Sequence, residues 1–317
     1  MKLYANLHLH STHSDGVDTP ADLARIAYEE GYRAAALTDH DSVSGNREFM
    51  AACKELGMES LFGIEFSVKT NLYTKNGKPG SFHMTAFDFD PEYPPMKEYL
   101  EQMSLRETHQ TKVLFDRGVE IGYIKGITWD DVLEYNKGIT WLCNDHVFRA
   151  MKAKGILADS DYTEFFETCY GKHRKDVPLL YDYKYDDEMI QLVHEAGGII
   201  CLAHLAEQLK QLPDVAEKGF APYVDKLIEM GLDGVEVWHQ LLNEKQREEV
   251  YQIALDRGLY VSGGSDHSGI CGGQYAFYED PKESRFWLEP LSTGTTKHHF
   301  EEMRDKKISN REACNGK

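Results

Sequence analysis

The chain has 317 residues, is 41% hydrophobic and 28% charged, and carries a formal net charge of −18. This is the composition of a globular protein, with no excess that marks disorder or a fibre, and the length allows one large α/β domain or two smaller ones. The acidic balance excludes a protein that coats nucleic acid or an anionic membrane with a basic face, but not one that binds a small anion through local positive charge.

The first 70 residues alternate. Leu3–Leu9 predicts a buried strand, and Asp18-Thr19-Pro20 then caps a helix that Gly31 ends. Ala34–Thr38 is the next strand, Gly45–Leu56 a helix, and Glu59–Val68 a third strand. Such an order predicts a parallel sheet with helical crossovers. From Pro94 to Tyr183 the chain is rich in Tyr, Glu, Lys and Asp, with helical periods at Met96–Gly118 and Asp145–Lys154. This stretch reads as a mostly helical insertion, and its basic run Lys172-His173-Arg174-Lys175 as a solvated loop. The β-α alternation then returns. Tyr185–Ala196, Pro222–Met230 and Asn243–Arg257 are helices, and Ile199–Ala203, Gly234–Trp238 and Leu259–Gly263 are strands. A last helix, Lys297–Lys307, closes the fold. The expected division is a barrel from residues 1–93 and 184–317, with a subdomain at 94–183.

The six cysteines are scattered without a CxxC pair, which fits a reduced compartment. No apolar stretch reaches the roughly 18 residues of a membrane span, and no apolar leader opens the chain. A cytoplasmic protein without membrane contact is expected.

The chemistry gathers at strand ends. His8 and His10 are two apart on a strand, so both rings face one side and can share a metal, with Asp15 in the following turn. Thr38-Asp39-His40-Asp41 follows the second strand, and Gly63-Ile64-Glu65 lies on the third. His83 interrupts an apolar strand, His204 follows Ile199–Ala203, and Asp266-His267 follows the last strand. Parallel β/α architectures place their sites at this end. A mixed imidazole and carboxylate set without thiolate suits Mn²⁺, Zn²⁺ or Fe²⁺, and there are enough candidates for two or three ions. Beyond the metals, Arg149 is a candidate to grip phosphate bidentately beside His146, and His239 to contact phosphate or protonate a leaving oxygen.

Together, His8-Leu9-His10-Ser11-Thr12-His13-Ser14-Asp15-Gly16, Thr38-Asp39-His40-Asp41, Gly63-Ile64-Glu65, Ala203-His204 and Gly264-Ser265-Asp266 resemble the PHP (polymerase and histidinol phosphatase) family. The likeness is to its stand-alone metal-dependent phosphoesterases, which act on nucleoside monophosphates or 3',5'-bisphosphates. It covers the two flanking parts of the chain, and the insertion more weakly through Asp145-His146-Val147-Phe148-Arg149-Ala150-Met151. The resemblance implies a distorted (β/α)7 TIM-like barrel with two or three divalent ions at its rim. By position it makes His8, His10, Asp15, His40, Glu65, His83, His204 and Asp266 ligands, with Glu65 bridging. Three positions stand out against the family's pattern. His267 directly follows Asp266, where the family has Asp-x-His, so it is a ligand only if the loop bulges. Asn6 stands where Asp is common, and position 15 is Asp, as in the phosphoesterase branch.

The function expected is hydrolysis of a small phosphomonoester, such as AMP or a nucleoside 3',5'-bisphosphate, by attack of metal-bound hydroxide on phosphorus. The alternatives are a 3'→5' exonuclease, which the charge disfavours, and a metal-dependent binding protein without catalysis. A C–N hydrolase on a related barrel would normally need a bridging lysine, and none is placed for it.

Overall fold

The computed structural model describes residues 3–75, 77–205, 208, 212, 215–239, 241–266 and 293–306. β1 (Leu3–Asn6) leads to α1 (Pro20–Glu30), where the Thr19 hydroxyl accepts the Asp22 N–H and proline occupies the first turn. β2 (Ala34–Leu37), α2 (Asn46–Glu55), β3 (Glu59–Lys75) and β4 (Lys78–Phe87) follow. Next come α3 (Pro94–Glu120), α4 (Trp129–Tyr135), α5 (Asn144–Ala153), α6 (Tyr162–Cys169) and α7 (Asp186–Glu195). The chain then runs through β5 (Ile199–Leu202), α8 (Ala221–Glu229), β6 (Gly234–Trp238), α9 (Glu244–Arg257), β7 (Tyr260–Gly263), β8 (Thr295–Thr296) and α10 (Lys297–Arg304).

The strands form one eight-stranded sheet in the order β7-β6-β5-β4-β3-β2-β1-β8. β1, β2 and β3 are parallel, as are β5, β6 and β7. The sheet nearly closes on itself. The Leu7 N–H donates to the Gly263 carbonyl at 3.1 Å, the Asp266 N–H to the His8 carbonyl at 2.9 Å, and the Thr295 hydroxyl to the Val261 carbonyl at 3.0 Å. The result is a mixed α/β, TIM-like barrel.

One strand departs from the parallel expectation. β3 does not stop near Val68 but continues to Lys75 and folds back as β4, which is antiparallel to both β3 and β5. Lys75 pairs with Lys78 where the two strands meet, and Gly77 has a φ of 73° that glycine adopts without strain.

Packing places the polar groups at one end. Ala5, Leu7, Ala34, Ala36, Leu61, Ile199 and Cys201 form an apolar cluster that Phe300 and Met303 of α10 complete. Alternate residues of β1 and β2 supply it, as strand geometry requires. A larger cluster joins β3–β6 to α7, α8 and α9, and Met96, Tyr99 and Met103 of α3 belong to it. The later half of α3 packs elsewhere, placing Leu114 and Phe115 with Phe148, Met151, Phe165 and Tyr170 in a separate core. Among the described residues no helix is long and apolar enough to cross a membrane.

Candidate metal centre

Each strand that ends at the rim delivers a ligand-type group. β1 stops at Asn6, and the extended chain beyond it keeps alternating. Leu7 and Leu9 turn into apolar clusters while His8 and His10 face the barrel mouth. The segment after β2 is tied to this one, because the Thr38 N–H donates to the Leu9 carbonyl at 2.8 Å and the Leu9 N–H to Thr38 Oγ1 at 3.1 Å. His40 follows two residues later. Glu65 comes from β3, His83 from β4, His204 after β5, Glu236 from β6, His239 after β6 and Asp266 after β7.

Glu65 is fully buried at the middle of the group. Its Oε1 lies 2.9 Å from His204 Nε2, 3.3 Å from His8 Nε2 and 3.3 Å from His83 Nδ1. Its Oε2 lies 3.1 Å from His40 Nδ1 and 3.2 Å from His10 Nε2. Asp266 adds Oδ1 at 3.0 Å from His10 Nε2 and 3.5 Å from His8 Nε2. Asp15 flanks the far side, 3.7 Å from His10 Nδ1 and 3.9 Å from His40 Nε2.

Several of these atoms are buried and have no hydrogen-bond partner: His8 Nε2, both ring nitrogens of His10, Glu65 Oε2 and His239 Nε2. Buried polar atoms are normally paired, because leaving one unpaired costs about 1–3 kcal/mol. Here they converge into four groups of ligand atoms, each within 4.8 Å of one another: His8–His10–Glu65–Asp266, His8–Glu236–His239, His10–Asp15–His40 and His40–Glu65–His83. A divalent cation answers the three groups that contain Glu65 or Asp15 directly, and their all-N,O donor set suits Mn²⁺, Zn²⁺ or Fe²⁺.

The electrostatics agree. Burial works to keep His8 and His10 neutral, but the surrounding carboxylates outweigh it and hold both well above the usual imidazole range. Burial alone would raise Glu65 and Asp266; the imidazoles around them instead hold both well below the carboxylate range. His40 is pushed down to about 4, chiefly by burial. The backbone carries strain here too. Of the five non-glycine residues with positive φ among those described, Asp41, His204 and Asp266 lie in or beside the site.

A surrounding set of groups holds the ligands in place. Glu236 was not anticipated from the sequence. Its Oε1 is 3.1 Å from His8 Nδ1, and its Oε2 accepts the His204 N–H at 2.6 Å. The signal was present as a lone carboxylate between Val235 and Val237 on an apolar strand. Asp39 accepts from the Ser11 N–H at 2.7 Å, the Ser14 hydroxyl at 2.6 Å and the Ser11 hydroxyl at 2.7 Å, fixing the turn before Asp15. Asn6 uses both halves of its amide. Its Nδ2 donates to Ser265 Oγ at 2.8 Å, while its Oδ1 accepts the Ser265 N–H at 3.1 Å. An ionised aspartate could only accept, so asparagine suits this junction of β1 with the Asp266 loop. Gly264 lies against His8, and a Cβ there would strike the His8 backbone.

Three residues expected to meet substrate are placed differently from one another. The Arg149 guanidinium is buried and donates to the carbonyls of Gly16, Ser14 (3.1 Å) and Thr12 (3.3 Å). His146 accepts the Cys143 N–H on Nδ1 at 3.0 Å, which puts its proton on Nε2, 3.1 Å from the Thr12 carbonyl. Both therefore clamp the loop that carries Asp15, in place of the open phosphate grip expected of Arg149. His239 stays at the centre. Its Nδ1 accepts the Leu241 N–H at 3.2 Å, so the neutral ring carries its proton on Nε2, 3.5 Å from Asp266 Oδ2. His267 lies outside the described residues.

The PHP domain model matches residues 6–256. A 5'-3' exoribonuclease of Haemophilus influenzae is 29% identical over 84% of this chain and 90% of its own length. A 3',5'-nucleoside bisphosphate phosphatase of Chromobacterium violaceum is 26% identical over 85% and 89%. Among solved structures, a Bifidobacterium adolescentis protein provisionally named a metal-dependent phosphoesterase superposes with a TM-score of 0.70 at 26% identity, covering 97% of both chains.

Proposed function

The chain belongs to the PHP domain family and is a metal-dependent phosphoric ester hydrolase, and on that premise we propose that it acts on a small phosphomonoester, most naturally a nucleotide such as AMP or a nucleoside 3',5'-bisphosphate. The observation that carries this reading is the convergence of five imidazoles on the two oxygens of Glu65.

His8, His10, Asp15, His40, Glu65, His83, His204 and Asp266 would hold two or three divalent ions, with Glu65 between them. Such ions acidify water and neutralise charge on phosphoryl oxygens when bound. The chain's own residues do the rest. Glu236 fixes the His8 ring so that Nε2 faces the ligand cluster. Arg149 and His146 hold the Asp15 loop by its carbonyls. His239 holds a proton on Nε2 and passes it to the ester oxygen as the P–O bond breaks. The insertion, 94–183, supplies the wall that selects the rest of the substrate.

Purified protein loaded with Mn²⁺ and offered a panel of nucleotides and sugar phosphates is expected to release phosphate. No release from any of them would refute the reading. The likeness to a 5'-3' exoribonuclease favours one second reading, removal of nucleotides from the 5' end of an RNA. Shortening of such an RNA, with no turnover of mononucleotides, would select it.

A further inference from the structure

A second group of imidazoles and a carboxylate converges away from the barrel mouth. It lies on α10, where His298, His299 and Glu302 each bring one ligand atom to within 4.8 Å of the other two. None of the three belongs to the Glu65 cluster. Glu302 follows His299 by three residues and His298 by four, the two spacings that share a helix face. Its two oxygens therefore meet both rings. Oε2 lies 3.1 Å from His299 Nδ1, and Oε1 lies 3.5 Å from His298 Nε2. An ion held at about 2.0–2.2 Å in tetrahedral coordination separates neighbouring ligand atoms by about 3.3–3.6 Å. The gaps on α10 are close to that spacing.

The inner ligand is fixed from behind. His299 is buried, with its ring 5.8 Å from that of Trp238 in β6 and 5.8 Å from that of Tyr251 in α9. The Tyr251 hydroxyl stands 3.3 Å from His299 Nε2. With Tyr251 accepting the Nε2 proton, the lone pair of Nδ1 faces Glu302. A partner on the far nitrogen is how proteins orient a metal-binding histidine. Glu302 is largely covered, its side chain 14% exposed, while His298 at 66% leaves the outer side open to solvent. The group is thus half enclosed, with a way in for an ion.

We propose that His298, His299 and Glu302 form a separate Zn²⁺ site on α10, which locks the His299 ring against Trp238 and Tyr251. Two imidazoles and one carboxylate are a zinc donor set that leaves a fourth position to water. Mg²⁺ and Ca²⁺ ask for more oxygen ligands than this group offers. The site lies apart from the Glu65 cluster and goes beyond the hydrolase reading without depending on it.

The test counts bound metal. The full chain is stripped by chelation, equilibrated with Zn²⁺ and assayed by elemental analysis, beside His298→Ala and Glu302→Gln. Wild type is expected to hold about one Zn²⁺ per chain more than either variant. The kcat/KM of the Mn²⁺-loaded chain should be the same in all three. With Co²⁺ in place of Zn²⁺, the difference spectrum between wild type and His298→Ala should show the visible bands of a tetrahedral ion. His298 is exposed, so its removal leaves the fold intact and the comparison readable. Equal metal content in wild type and His298→Ala overturns the proposal and leaves Glu302 sharing only a proton with His299. A count lowered by Glu302→Gln and not by His298→Ala overturns the three-residue site as well. Absence of turnover would sink the hydrolase reading alone, while equal counts with full turnover would sink this one alone.

Discussion

Glu236 and His8 are joined through a buried contact of 3.1 Å between Oε1 and Nδ1, while the other Glu236 oxygen accepts the His204 N–H. One carboxylate thereby sets the ring of a residue from β1 and the backbone of a residue after β5. A carboxylate on the far nitrogen fixes the tautomer of a metal-binding histidine and raises its basicity. Glu236→Gln is therefore expected to weaken metal binding by about 10–100-fold. Activity should return at high metal concentration. Unchanged metal affinity in a dialysis titration would refute the role.

Metal binding should release protons. Despite burial, Glu65, Glu236 and Asp266 hold His8 well above the usual imidazole range, and Asp266, Glu65 and Asp15 do the same for His10. The metal-free site thus carries these protons at neutral pH. Ligating imidazoles must be neutral, so loading is expected to expel about one to two protons and to tighten as pH rises. Calorimetry in buffers of different ionisation enthalpy reads the number directly. Proton uptake, or none exchanged, would contradict the arrangement.

Arg149 offers a separate test of how α5 serves the site. Its removal takes a donor from the carbonyls of Gly16 and Ser14, on the loop that carries Asp15, and leaves the Thr12 carbonyl to His146 alone. Arg149→Ala should destabilise the chain by about 2–4 kcal/mol. At saturating metal, kcat should fall more than KM changes, because the loop positions Asp15 and does not touch substrate. A rise in KM at constant kcat would instead assign Arg149 to substrate.

Glu30 predicts a pH effect away from the site. Burial beside Leu23, Ile26 and Ala27 pushes its carboxyl up to about 6. The folded chain binds this proton more tightly than the unfolded chain. Its stabilisation is thus present below about pH 4.5 and lost as pH rises through 6. Glu30→Gln should raise stability at pH 7 by about 1 kcal/mol, a figure reduced for the partial exposure of the group. It should add nothing at pH 4. Urea unfolding at the two pH values measures both, and equal shifts would refute the assignment.

Much of the centre was legible along the chain. Polar groups at the ends of apolar strands recur from His8 to Asp266, and strand geometry sends strand ends to a common rim. The hairpin was legible in principle at Asn76-Gly77, yet the first three β-α alternations suggested parallel strands throughout. Glu236 was hidden for a related reason, since a carboxylate inside an apolar strand shows its use only when its neighbours across the sheet are known.

The residue types and their order along the chain determined the class of chemistry, because imidazoles and carboxylates at strand ends have few other uses. Only the tertiary structure decided what surrounds Arg149 and Arg174. An arginine's role is set by which acceptors surround its fork, and those lie far away in sequence: the 12–16 loop for Arg149 and Glu107 for Arg174.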